Sequence, residues 1–180
     1  QDVIFENVWG VADEVMLQHV IKTLGTEAGK DRPFFAHVMT TSNHRPYTYP
    51  QGRIDIPSPG GRDGAVKYTD YAIGKFIDDA KKQPWFKDTL FIIIADHCAS
   101  VAGKTKLPVD GYHIPLILYA PDLVQPGVFE PVVSQLDLAP TIVEQLRKNG
   151  DDHFFGRSFF EPGPPLQRAF ISNYQELGYL

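Results

Sequence analysis

The chain has 180 residues, of which 43% are hydrophobic and 22% charged, and its formal net charge is −5. This composition is ordinary for a globular protein with a real core, and an acidic chain without basic runs gives no support to nucleic-acid binding. No apolar stretch approaches the roughly 20 residues of a membrane span, and residues 1–7 lack the pattern of a signal peptide. The single cysteine, Cys98, excludes an internal disulfide. We therefore expect one domain or part of one, either cytosolic or cut from an exported or anchored protein.

The first half of the chain predicts two helices separated by a strand and a long loop. Apolar residues spaced three and four positions apart form a stripe along each helix. The loop carries four prolines, and a loop of that length is usually functional or disordered. In chain order the predicted elements are a helix over 12–25, a strand over 33–41, a loop over 42–64 and a helix over 65–82.

The second half predicts three strands and a third helix. The residues Phe-Ile-Ile-Ile-Ala at 91–95 are too apolar for an exposed loop and are typical of a strand covered on both faces, as in a parallel sheet with helices on each side. The predicted elements are a strand over 89–95, a loop over 98–113, a strand over 114–119, a helix over 133–147 and a strand over 168–172.

The end of the strand over 89–95 carries the strongest chemical signal. Asp96 and His97 follow it directly, and ligands of open α/β sheets bind beyond the carboxyl ends of the strands. A carboxylate beside an imidazole suits a divalent cation of the zinc or manganese class. A capped turn without a metal is the alternative.

His44 follows the strand over 33–41, so we expect it on the same rim of the sheet as Asp96. An imidazole titrates near neutral pH, so His44 is a candidate to contact substrate or to donate a proton to a leaving group. From this segment alone, the alternative is a surface-loop histidine that has no functional role.

Two further side chains are weaker candidates. Lys104 would neutralise a phosphate or sulfate oxygen, although a solvated lysine is the simpler reading. His113 stands at the entrance of the strand over 114–119, where it is either near the metal rim or structural. Structural or surface roles are favoured for the other three histidines, which are His19, His37 and His153.

Three segments together resemble a known family. They are Ala-Asp-His at 95–97, Gly-Tyr-His-Ile-Pro-Leu-Ile-Leu-Tyr-Ala-Pro at 111–121 and Ser-Gln-Leu-Asp-Leu-Ala-Pro-Thr-Ile at 134–142. In this order they resemble the sulfatase branch of the alkaline phosphatase superfamily. Trp-Gly-Val-Ala-Asp-Glu at 9–14 and Thr-Ser-Asn-His-Arg-Pro-Tyr at 41–47 are similar to the lipoteichoic acid synthase group of membrane-anchored phosphoglycerol transferases. The combination covers nearly the whole chain.

The resemblance implies a fold and a set of roles. The fold would be an α/β, alkaline phosphatase-like one, with a mostly parallel central sheet and helices on both faces. Asp96 and His97 would ligate a divalent metal, with Mn²⁺ first and Zn²⁺, Mg²⁺ or Ca²⁺ as alternatives. His44 would contact the substrate headgroup and assist catalysis, and His113 would lie near the pocket.

The sequence also departs from the family pattern. The nucleophilic threonine of the family and the glutamate ligand before it have no matching context here, nor do the family's transmembrane helices and last strands. Residues 1–180 are therefore expected to be the C-terminal portion of a larger catalytic domain. Cys98 is followed by Ala-Ser-Val, which does not match the Cys-x-Pro-x-Arg signature of sulfatases, so a small buried residue is expected there.

The function implied for the parent protein is transfer of phosphoglycerol to a glycan or lipid of the cell envelope. A metal-activated hydroxyl would attack a phosphodiester and form a covalent intermediate. The parent would be anchored in a bacterial inner membrane, with its catalytic domain in the periplasm or extracellular space. A sulfuric ester hydrolase on the same fold and a non-catalytic binding or regulatory domain are the alternatives. A serine hydrolase based on Ser100 is remote, because no Gly-x-Ser-x-Gly elbow surrounds it.

Overall fold

The chain divides into two compact units, residues 1–89 and residues 90–180. The computed structural model describes residues 3–30, 32–99, 106–146, 153–161 and 167–180. Among these residues no helix combines the length and the hydropathy that crossing a membrane requires.

In the first unit, residues 3–30 and 32–89 form a short hairpin and two long helices. Strands β1 (Glu6–Asn7) and β2 (Gly10–Val11) pair antiparallel and lead into helix α1 (Asp13–Ala28). Helix α2 spans Gly61–Ala80, and a 3-10 turn follows at Phe86–Asp88. Both helices were predicted, but α1 runs through Gly25 and α2 begins four residues before the expected start. The two-residue strands were missed, since they are too short to show an alternating pattern.

The core of the first unit forms around two stacked tyrosines. The rings of Tyr49 and Tyr68 lie 5.2 Å apart and nearly parallel, and both side chains are buried in a cluster with Ala12, Val15 and Ala65. Tyr49 belongs to the predicted long loop, and its hydroxyl donates to the carbonyl of Ile56 at 3.2 Å. The loop is thus folded onto the helices, and its aromatic residues supply much of the core.

The segment 33–41, for which a strand was predicted, differs from its prediction. Its backbone is not part of any strand, although its apolar sequence predicts one. Phe35 is 81% exposed and Met39 64% exposed. A strand needs a partner for its backbone groups, and the sheets of the described residues include none for this segment.

The described residues of the second unit form two antiparallel strand pairs and one helix. Strand β3 (Phe91–Ile94) pairs with β4 (Leu116–Tyr119), with Phe91 opposite Tyr119. The remaining elements are, in chain order, a 3-10 turn at Val109–Gly111, a 3-10 turn at Gln135–Asp137, helix α3 (Leu138–Gln145), and the antiparallel pair β5 (Phe170–Ser172) and β6 (Leu177–Tyr179).

The direction of strand pairing is the main correction to the predicted topology. A mostly parallel sheet was expected, whereas every strand pair among the described residues is antiparallel. Only Phe91 of β3 is buried, and the three isoleucines after it are half-buried. A continuous apolar run predicts a strand but not the direction of its partner, because burial and pairing direction are set by the elements around it.

Candidate functional site

Asp96 and His97 lie one residue beyond the end of β3. The ladder between β3 and β4 extends to Ala95, whose N–H donates to the carbonyl of Pro115 at 3.3 Å. The chain then bends at Asp96 and His97, whose side chains are 76% and 71% exposed. The strand pair therefore holds the backbone up to Ala95 and presents both side chains to solvent.

The two side chains form a compact local arrangement. The Asp96 Oδ1 atom accepts from the backbone N–H of His97 at 2.9 Å. The His97 Nδ1 atom lies 2.8 Å from the carbonyl oxygen of Cys98, and because a carbonyl only accepts, Nδ1 carries the hydrogen. The lone pair of the neutral ring is then on Nε2, which lies 3.6 Å from Asp96 Oδ2.

This arrangement fits two ligands of a divalent metal. Ligating histidines usually donate their other ring N–H to a carbonyl or carboxylate, as His97 does. Two ligand atoms with bonds of about 2.1 Å in a tetrahedral site are roughly 3.4 Å apart, which is close to the observed 3.6 Å. A closed site needs about four ligands, and the described residues contain no cluster of three or more candidate ligand side chains. Asp96 and His97 therefore fit as part of a ligand set.

Gln135 holds the backbone that carries these two residues. Its Nε2 atom donates to the carbonyl of Asp96 at 3.0 Å and to that of Ala95 at 3.2 Å. Gln135 starts the 3-10 turn before α3, and Ser134 caps this turn in a capping box with Asp137. No local pattern in the sequence indicates this role of Gln135, because its partners are main-chain atoms 39 and 40 residues away.

The buried carboxylate of Asp137 anchors this 3-10 turn. This side chain is 4% exposed and accepts from the backbone N–H groups of Ser134 and Arg157, each at 2.9 Å. The guanidinium of Arg168 lies 3.4 Å from the same carboxylate. The 3-10 turn is thus fixed to two later segments of the chain, which restrains Gln135.

Cys98 and His113 are neighbours in the second unit. The thiol of Cys98 donates to the backbone carbonyl of His113 at 3.1 Å, and the His113 side chain is exposed. Cys98 is half-buried, so the expectation that it would be buried is wrong. The reason is that Cys98 lies beyond the end of β3, between the exposed residues His97 and Ala99. Lys104 and Ser100 lie outside the described residues.

His44 lies in the first unit, at a tight turn. The turn is closed by two backbone bonds, from His44 N–H to the Thr41 carbonyl at 3.1 Å and from Tyr47 N–H to the His44 carbonyl at 2.8 Å. The imidazole is exposed and lies beside the Trp9 indole, with ring centroids 4.0 Å apart. That His44 shares one rim with Asp96 stays a prediction.

The sulfatase family model matches residues 1–148, and the chain belongs to the sulfatase family.

Individual relatives of known name are similar to most of this chain. The chain is 26% identical over 174 residues to a phosphoglycerol transferase I of Xanthomonas axonopodis pv. citri, covering 92% of this chain and 25% of the relative. It is 28% identical over 181 residues to a phosphoglycerol transferase I of Salmonella arizonae, covering 95% of this chain and 23% of the relative. The chain thus spans about a quarter of the length of these curated relatives.

A solved structure confirms the fold class. The crystal structure of a protein in the alkaline phosphatase superfamily from Vibrio parahaemolyticus superposes with a TM-score of 0.93 at 36% identity. The match covers 100% of this chain and 45% of the Vibrio chain. The alkaline phosphatase-like α/β fold that the sequence motifs predicted is confirmed, and so is the family.

Proposed function

We propose that this chain is part of a metal-dependent phosphotransferase or hydrolase that transfers phosphoglycerol to a glycan or lipid of the cell envelope. The observation that carries the proposal is the match to phosphoglycerol transferases I over more than nine-tenths of the chain. The geometry of Asp96 and His97 supports it, because both present ligand atoms to one point in solvent. The substrate would be a lipid- or glycan-linked phosphodiester, and the parent protein would act from an inner-membrane anchor in the periplasm or extracellular space.

Asp96 and His97 would hold the metal, and Mn²⁺ is the first candidate. A divalent ion supplies Lewis-acid stabilisation of the charge that grows on phosphoryl oxygens. The residues of this chain contribute the position of the ligands. The Cys98 carbonyl fixes the tautomer of His97, and Gln135 fixes the backbone at Asp96.

His44 would act on the leaving alcohol. Its Nδ1 atom lies 3.2 Å from the carbonyl of Arg45, which accepts the hydrogen on that nitrogen and leaves Nε2 as the free edge of the ring. A protonated Nε2 would donate to the departing alkoxide, which has a high pKa and needs a proton. The attacking hydroxyl would come from another part of the parent protein.

A sulfate-ester hydrolase is the second candidate, and the sulfatase family model supports it. Sulfate and phosphate esters share a tetrahedral shape. A phosphodiester, however, carries two ester-linked groups on phosphorus, whereas a sulfate monoester carries one on sulfur. Substrate preference therefore separates the two candidates.

The test measures turnover by the whole parent protein with Mn²⁺ on three substrates, namely an sn-glycerol alkyl phosphodiester, a p-nitrophenyl phosphodiester and p-nitrophenyl sulfate. We expect turnover of both phosphodiesters, and a loss of it in Asp96→Asn. His44→Gln should slow the alkyl phosphodiester by about 100-fold or more. The same variant should have a much smaller effect on the p-nitrophenyl ester, whose leaving group needs no proton.

The control is His19→Gln, which changes another exposed histidine of the first unit, on α1. It should leave all three rates unchanged. Turnover of the sulfate alone would favour the sulfatase, and absence of turnover on all three substrates would contradict both candidates and favour a non-catalytic domain.

A further inference from the structure

The turn that carries His44 is tied to a buried carboxylate. Asp13 Oδ1 accepts from the backbone N–H of Thr41 at 2.9 Å and from that of Ser42 at 3.1 Å. The Ser42 hydroxyl in return accepts from the backbone N–H of Asp13 at 3.2 Å. Three hydrogen bonds thus join the side chain and the backbone amide of Asp13 to Thr41 and Ser42, which directly precede Asn43 and His44.

The environment of Asp13 makes this connection rigid. The side chain is 0% exposed, and its second oxygen accepts from the Thr69 hydroxyl on α2 at 3.1 Å. Asp13 is also the first residue of α1, where the partial positive charge of the helix terminus favours a carboxylate. Hydrogen bonds to a charged group in a buried site are roughly twice as strong as neutral ones. Asp13 therefore fixes the turn to both helices.

The other side of the turn is held by Trp9. Its indole Nε1 donates to the carbonyl of Arg45 at 2.5 Å, the same carbonyl that His44 Nδ1 approaches. The indole ring lies 4.0 Å from the imidazole, centroid to centroid. Trp9 is itself restrained, because its backbone N–H donates to Asn7 Oδ1 at 2.8 Å, and the Asn7 side-chain amide donates to the Thr48 hydroxyl at 3.2 Å.

We infer that Asp13 and Trp9 are positioning residues for His44, with Asp13 fixing the backbone before it and Trp9 fixing the carbonyl after it together with one face of the ring. The imidazole is thereby held with Nδ1 turned to Arg45 and Nε2 turned to solvent. The expected effect of Asp13 and Trp9 on turnover rests on the proposed role of His44. The expected orientation of the His44 ring does not depend on that role.

The first test observes the ring itself, by long-range proton–nitrogen NMR of His44 in this chain at a pH where the imidazole is neutral. The signal is assigned by its loss in His44→Gln. We expect the Nδ1–H tautomer in the native chain. We expect a mixture in Trp9→Phe, which loses the N–H donor but keeps an aromatic ring, and a larger shift in Trp9→Leu, which loses both. Asp13→Asn should shift the His44 ring signals as well. Unchanged ring signals in all three variants would overturn the inference.

The second test uses turnover of the alkyl phosphodiester by the parent protein. Trp9→Leu should lower kcat/KM by about 10- to 100-fold, as displaced catalytic groups do. In a His44→Gln background the same change should cost no more than about twofold, because the imidazole that Trp9 positions is already gone and about twofold is the scatter within which separate mutations add. An equal loss in both backgrounds would overturn the inference, since Trp9 would then act without His44.

The matched control is Trp85→Phe. Trp85 is a buried residue of the same unit, 6% exposed and packed edge-on against Phe34. This variant should lower Tm but leave the His44 ring signals and kcat/KM unchanged, which separates positioning from general destabilisation. If His44→Gln itself does not slow turnover, the proposed function of His44 fails, and the NMR result alone decides the inference.

Discussion

The free nitrogen of His44, like that of His97, is determined by a single main-chain oxygen. His44 and His97 each direct Nδ1 to the carbonyl of the residue that follows, at 3.2 Å and 2.8 Å. In both rings Nε2 is left at the exposed edge. For His97 this is the nitrogen that would bind the proposed metal, and for His44 it is the nitrogen that would meet a substrate. The sequence predicts neither contact, because it shows which residues follow a histidine but not how the backbone bends there.

A prediction at the residue scale concerns Gln135. Gln135→Met should weaken Mn²⁺ binding to the parent protein by about 10- to 100-fold, as changes to groups that orient metal ligands do. The reason is that the carbonyls of Ala95 and Asp96 lose their donor and the ligand pair is no longer fixed. Titration calorimetry measures the change.

Gln145→Met is the control for this experiment, because it replaces an exposed glutamine at the end of α3. It should bind the metal as the native protein does. Equal affinity in Gln135→Met would show that the strand end keeps its geometry without this side chain.

At the scale of elements, two glycines of α2 should respond in opposite ways to alanine. A Cβ at Gly64 would overlap the hydroxyl of Tyr49, whereas one at Gly74 would meet nothing within 4 Å. Gly74→Ala should raise the free energy of unfolding by roughly 1 kcal/mol, the difference in helix propensity. Gly64→Ala should lower it by about 1–3 kcal/mol through overpacking.

Urea unfolding followed by far-UV circular dichroism measures both changes as shifts in midpoint. The two variants control for each other, since they add the same methyl group to the same helix. If Gly64→Ala were as stabilising as Gly74→Ala, the tyrosine stack would not be packed against α2 as described.

The last turn of α2 makes a pH-dependent contribution to stability. Hydrogen bonds from Lys82, at 2.7 Å, and Lys75, at 2.9 Å, hold the pKa of Asp79 below its usual value of 3.8. A lowered pKa in the folded state stabilises the fold above the unfolded-state pKa, and this stabilisation is lost as the pH falls through the folded-state pKa.

Asp79→Asn should therefore lower the free energy of unfolding at neutral pH by less than about 1 kcal/mol, as exposed ion pairs do. The difference from the native chain should disappear as the pH is lowered past 3.8, and it should shrink in about 1 M salt. Urea unfolding at a series of pH values tests this, and a difference that persists in acid would contradict it.

For the whole molecule, the sequence predicted the family and most helices and strands, but not how the strands pair. Local spacing determines α1 and α2, so both appear near their expected positions. The pairing of β3 with β4 depends on a contact across 21 intervening residues, which no local pattern specifies. The segment 33–40 shows the same limit, because its apolar side chains predict a strand while its state depends on partners elsewhere.

The residues of the candidate site also divide into those that the sequence predicts and those that it does not. Asp96, His97 and His44 were identified because chemically reactive side chains directly follow apolar segments. Gln135, Asp13 and Trp9 were missed as site residues, since each acts on main-chain atoms of another segment. Residues that react are visible in a sequence, whereas residues that orient them become visible only when their hydrogen bonds are known.

The hydrogen bonds to the Asp13 carboxylate also make it possible to detect when the His44 turn opens. The amide hydrogens of Thr41 and Ser42 lie outside any helix or strand, yet both are donated to this buried group. In deuterium oxide they should exchange far more slowly than the neighbouring amides of 33–40, so two protected positions would stand out in an otherwise fast-exchanging stretch. Their exchange rates would report the opening of the His44 turn directly, without a substrate, a metal or an assay of turnover.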